Sequence, residues 1–91
     1  MAVEVRLPTV LRPLAGGQAT VKAEGATLRE VLEDLTRQYP GLSGSLFTPE
    51  GDMHRHLNVF VNDDDVRYLG QLDAKVGEDD TVTLMPAVAG G

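Results

Sequence analysis

The sequence predicts an α+β domain: one mixed sheet of four to five strands, with one main helix packed across one face. Three observations lead there. Short runs with period-2 alternation recur near both ends and in the middle, and one amphipathic stretch of helical period separates the second run from the third. The third observation is size: 91 residues, 42% hydrophobic and 24% charged, allow one domain with one modest core. A chain this short buries about 60–65% of its unfolded surface, which leaves little room for an enclosed active site. An enzyme is therefore not the default expectation.

Val3, Val5 and Leu7 alternate with Glu4 and Arg6 as a half-buried first strand, and Pro8 ends its regular pairing. A loop with Pro13 and Gly16-Gly17 leads to a second alternating run over residues 18–23, read as its hairpin partner, which Gly25 closes. Thr27-Leu28-Arg29-Glu30 has the form of a capping box, with the threonine hydroxyl meeting the Glu30 amide and the Glu30 carboxylate returning to the Thr27 amide. Leu28, Val31, Leu32 and Leu35 then form one apolar stripe, with Arg29/Glu33 and Glu33/Arg37 as exposed i,i+4 pairs. The helix stops at Tyr39, before Pro40-Gly41.

Residues 41–56 hold three glycines and Pro49, and read as a long surface loop with one short helical turn around residues 42–47. Leu57, Val59 and Val61 alternate as a third strand, Asn62-Asp63-Asp64 is turn chemistry, and residues 65–68 make a short edge segment. The acidic turn Glu78-Asp79-Asp80 opens a final strand over residues 81–85, stopped by Pro86. Hairpin, helix, strand, short strand, strand is the order of the β-grasp (ubiquitin-like) fold. Residues 1–86 form that domain, and if the final strand pairs centrally, residues 87–91 leave it as a flexible arm of up to about 17 Å.

The formal charge of −6, from 14 acidic and 8 basic residues, disfavours nucleic acid and anionic membranes and suggests a protein partner with a basic surface. The absence of cysteine excludes a disulfide framework, a Cys-based metal site and a thiol nucleophile. The N-terminus lacks the pattern of a secretory signal and no window is apolar enough to span a membrane, so the expected location is the cytoplasm.

Gly90 and Gly91 are the most informative residues. A side-chain-free end can thread a narrow channel and bring its backbone close to a nucleotide phosphate, which is carrier chemistry. Chain ends also tolerate small residues without a functional reason. His54-Arg55-His56 beside Asp52 offers three potential ligands, but nothing completes the set; solvated or structurally bonded histidines are favoured and no metal is expected. Asp63-Asp64-Asp65 lacks the spacing of a calcium loop and reads as a charged turn. Phe60 and Met85 have the opposite parity to their core-facing neighbours, which places both on the open face as a candidate partner-docking patch.

The ending Leu84-Met85-Pro86-Ala87-Val88-Ala89-Gly90-Gly91, with Val59-Phe60-Val61-Asn62-Asp63 ahead of it, resembles the ubiquitin-like sulfur carrier family, which serves molybdopterin, thiamin-thiazole and cysteine biosynthesis. Leu11-Arg12-Pro13, Gly16-Gly17, His54-Arg55 and residues 61–67 resemble the cysteine-biosynthetic branch most. The resemblance implies a carrier, not an enzyme, that binds no cofactor of its own. An E1-like adenylating enzyme would use Mg-ATP to activate the Gly91 carboxylate, and a sulfur donor would convert it to a thiocarboxylate. Val88, Ala89 and Gly90 would be the tail that enters the partner's channel. The acceptor would be a pyridoxal-phosphate cysteine synthase or a thiazole-synthase-like enzyme, and in the cysteine branch a JAMM-type zinc peptidase would release the product. A ubiquitin-like modifier joined through Gly91 to a lysine, or an interaction module with an incidental Gly-Gly, are the other readings.

Overall fold

The computed structural model of the chain describes residues 2–55 and 57–86. Five strands, β1 (Ala2–Arg6), β2 (Thr20–Glu24), β3 (Leu57–Val61), β4 (Asp64–Asp65) and β5 (Thr81–Pro86), form one mixed sheet in the order β2-β1-β5-β3-β4. Only the β1/β5 pairing is parallel; β1/β2, β3/β5 and β3/β4 are antiparallel. The strand after the helix, β3, therefore runs in the same sense as β2, but two strands separate them.

The alternation read in the sequence decides which face is covered. Val3 and Val5, Val21 and Ala23, Leu57, Val59 and Val61, and Val82 and Leu84 all point into the core. Helix α1 (Leu28–Gln38) lies on that face and buries Leu28, Val31, Leu32 and Leu35 completely. Burying each such side chain is worth about 2 kcal/mol relative to leaving it in water. Gly25 makes the close approach of β2 to α1 possible, because a Cβ there would stand 2.7 Å from both the Glu30 Cβ and the Val31 nitrogen.

Two local expectations are corrected. The Thr27 hydroxyl accepts from the Glu30 amide at 3.3 Å, but the Glu30 carboxylate accepts from Ala26, at 2.7 Å, and not from Thr27. The chain folds back before the helix, so the amide within reach lies one residue earlier. Arg37 bonds Asp34 at 3.2 Å, on the i,i+3 side, in place of Glu33.

The 41–56 segment is more than a surface loop. A 3-10 turn (Pro40–Leu42) runs into α2 (Ser43–Leu46), and Leu42 and Leu46, four residues apart on one face, are fully buried. Residues 8–19 likewise contain a 3-10 turn (Arg12–Ala15) that turns Leu11 and Ala15 inward, with Gly16 and Gly17 at φ 69° and 82°. The edge segment is divided: β4 has two residues and Val66–Tyr68 is a 3-10 turn. Pro86 is the last residue of β5 and lies opposite Leu57.

Candidate functional site

The site is the open face of the sheet and the end at which β5 leaves it. Because Val82 and Leu84 face the helix, Thr83 and Met85 face away, and Met85 is 49% exposed. On β3, Phe60 is opposite Thr83 and Asn58 is opposite Met85, so Phe60 and Met85 lie diagonally across one strand pair. Phe60 is half-buried. Both residues line an open depression of about 260 Å³ with Asn62, Asp63 and Thr83. The structure thus brings together the two residues that strand parity marks as a candidate docking patch.

β1 and β5 finish at the same end of the sheet and β3 begins there, so the chain beyond Pro86 departs beside Leu57. Val88, Ala89, Gly90 and Gly91 lie outside the described residues, as does His56. The His54 amide donates to the Leu46 carbonyl at 2.9 Å, which fixes the 53–55 segment against α2. A cleft of about 270 Å³ beside β3 has Met53, His54, Arg55, Leu57 and Arg67 on its walls. Among the described residues, no group of three His, Cys, Asp or Glu side chains is arranged to hold a metal ion.

Within the acidic turns, Asp65 and Asp80 are held by hydrogen bonds to neighbouring groups. Asn62 adopts φ 57°; its amide donates to the Thr81 carbonyl at 2.7 Å, its Oδ1 accepts from the Thr81 amide, and its Nδ2 donates to Asp80. Asp80 also accepts from the Gly77 amide, and that bond, followed by the one from Asn62, holds its carboxyl below the ordinary aspartate value. Asp65 is lowered mainly by the side-chain hydrogen bonds of Arg67, then by the Arg67 amide, and Arg67 is raised in return.

Exposed apolar residues that parity did not find are Val10 at 65%, Leu14 at 41%, Tyr68 at 84% and Leu69 at 41%. All lie in or beside 3-10 turns, where neither the strand nor the helix period applies.

A ubiquitin-like sheet with β5 at its centre, between the β1/β2 hairpin and β3/β4, is the arrangement of the β-grasp carriers and modifiers. The chain belongs to the ThiS family, which matches it over residues 5–91. It is 48% identical to the sulfur carrier protein CysO of Mycobacterium tuberculosis, over the whole of both chains. The solved Amycolatopsis orientalis BexX/CysO complex contains a chain with 47% identity and a TM-score of 0.90, covering 99% of this chain and 100% of that one. Small archaeal modifier protein 3 of Haloferax volcanii is 31% identical, again over both whole chains. Among the described residues, no helix is long and apolar enough to cross a membrane.

Proposed function

We propose that this protein is a sulfur carrier whose working group is the α-carboxylate of Gly91. An E1-like enzyme transfers AMP from Mg-ATP to that carboxylate and releases pyrophosphate. A sulfur donor then attacks the acyl carbon and expels AMP, leaving a C-terminal thiocarboxylate. That group is anionic and its sulfur is a soft nucleophile, so sulfur reaches an acceptor enzyme without release of free sulfide. Residues 87–91 serve as the arm, with Val88, Ala89 and Gly90 threading the partner's channel. The carrier binds no cofactor and is itself the substrate of its partners, in the cytoplasm. The acceptor is a pyridoxal-phosphate cysteine synthase or a thiazole-synthase-like enzyme, with a JAMM-type zinc peptidase following in the first case.

The observation that carries this reading is the central position of β5, taken with full-length similarity to a sulfur carrier. The archaeal modifier relative favours a second reading, in which the same activated carboxylate is joined to a lysine amine. Intact mass separates the two. Incubation with the E1-like enzyme, Mg-ATP and sulfide should exchange one oxygen of Gly91 for sulfur, and protein from its own cells should carry the thioacid. Deleting Gly91 should abolish the exchange and leave the melting temperature unchanged. A truncated chain that still gains sulfur would overturn the assignment, and an isopeptide-linked form from cells would favour the modifier.

A further inference from the structure

The outer edge of β2 is shut in part by side chains of α1. The Leu7 amide donates to the Ala19 carbonyl at 2.8 Å, so the odd-numbered residues of β2 turn their backbone groups to β1 and the even-numbered ones turn theirs outward. Two of the outward groups are met from the helix: the Glu24 amide donates to Asp34 at 2.9 Å, and the Gln38 side-chain amide donates to the Lys22 carbonyl at 2.9 Å. Gln38 also donates to Asp34 at 2.8 Å, and Arg37 does so at 3.2 Å, which ties these side chains into one clamp. The Lys22 amide and both backbone groups of Thr20 face outward as well, and among the described residues no strand lies on that side of β2. Thr20 and Lys22 are exposed.

These outward groups are complementary to those of a second copy. In an antiparallel pair with a two-fold axis at Val21, Thr20 of each copy stands opposite Lys22 of the other, amide to carbonyl in both directions. Glu24 then stands opposite Gln18, whose carbonyl would accept from the amide that Asp34 holds in the single chain. The clamp opposes this pairing at both positions, since Gln38 occupies the Lys22 carbonyl and Asp34 the Glu24 amide. Charge permits the approach. Lys22 has Glu4 as its cross-strand neighbour, and both side chains lie on the face opposite buried Val5, Val21 and Ala23, so the seam is not a cluster of one sign.

We propose that β2 is a strand-pairing edge whose occupant is a second copy of this chain, and that the Asp34–Gln38 clamp keeps it shut. An edge strand with unpaired amides and carbonyls is a template for another strand, and side chains that occupy those groups are a way to deny it. β1 separates β2 from β5, so two copies joined along β2 keep Phe60, Met85 and the end of β5 clear of the seam. Release of the clamp therefore changes the number of chains in the particle without covering the candidate docking face.

Sedimentation equilibrium at neutral pH, with melting temperatures to confirm folding, tests this. Asp34→Ala/Gln38→Ala should lower the dimer dissociation constant by about tenfold or more relative to the unaltered chain, as the freed groups gain partners. Adding Thr20→Pro, which removes an outward amide at the first residue of an edge strand and none from the β1 ladder, should reverse the gain. Should the double variant not fold, Gln38→Ala alone, at an exposed position, gives the same comparison with a smaller gain. The chain has no cysteine, so register can be read by oxidation: in the double-variant background, mixed Thr20→Cys and Lys22→Cys chains should cross-link to each other faster than either does to itself. Cross-linking without that preference would overturn the pairing about Val21. A folded variant that associates no more strongly than the unaltered chain would overturn the proposal, as would association that Thr20→Pro leaves unchanged.

Discussion

A carboxylate placed at position 31 would lie between helix and sheet, where Val31 has no exposed surface. Val31→Asp should unfold the domain or cost several kcal/mol, about 3 or more, since nothing there can pair with the charge. Glu33→Ala, on the solvent side of the same helix, should cost well under about 1 kcal/mol. Urea unfolding of the two variants compares them directly, and similar losses would mean that the wrong face of α1 had been placed inward. Gly25 is a subtler case. A methyl group there collides with the Glu30 Cβ and the Val31 nitrogen at 2.7 Å, so Gly25→Ala should cost about 1–3 kcal/mol as the first turn of α1 is pushed off β2. At this scale the sequence is legible where one side chain obeys one period, as at Val31. It is less so where the backbone bends: Thr27 and Glu30 announced a cap, but the acceptance from Ala26 depends on how residues 25–26 turn back.

Each outer edge of the sheet is closed by a different device. β2 is an edge strand whose outward groups would be open to another chain, yet the Glu24 amide donates to Asp34 at 2.9 Å and the Gln38 amide donates to the Lys22 carbonyl at 2.9 Å. Helix side chains therefore cover the strand that the helix follows. At the other side, β4 stops after two residues. The Asp34 carboxyl is held below the ordinary aspartate value of 3.8, chiefly by the Glu24 amide; burial opposes this with the next-largest effect, and Gln38 and Arg37 add to the lowering. A carboxyl lowered in the folded state stabilises fully above its unfolded value, and that contribution is lost as pH falls through the lowered one. The gap in melting temperature between the unaltered protein and Asp34→Ala should thus be complete above pH 3.8 and close below it. A gap that does not narrow as pH falls below 3.8 would show that Asp34 acts through packing. Strands and the main helix were legible because each carries several periods of its pattern. The 3-10 turns were not, since three or four residues hold about one turn; the short helical turn read around residues 42–47 is α2, but glycines 41 and 44 hid the burial of Leu42 with Leu46.

For the whole molecule, strand parity sufficed to place Phe60 and Met85 on the open face, because a sheet with one covered side leaves every second residue on the other. Phe60→Glu or Met85→Glu should weaken binding to the adenylating enzyme by about 2 kcal/mol where either is an anchor, with little change in monomer stability. Calorimetric titration on folded variants decides this, and unchanged affinity in both would remove the face from the interface. The sheet order holds one more consequence. β2 and β1 form one hairpin, β3 and β4 another, and no ladder joins them except β5, which is inserted between β1 and β3 after every other described element has been synthesised. On the ribosome the two hairpins must wait with the facing edges of β1 and β3 unpaired until residues 81–86 emerge, a long-range closure that delays folding. A chain interrupted before that strand lacks both the seam of its sheet and the segment that leads to Gly91. A copy terminated before β5 therefore lacks the strand that joins its two hairpins, and should be more open to proteolysis than the full chain.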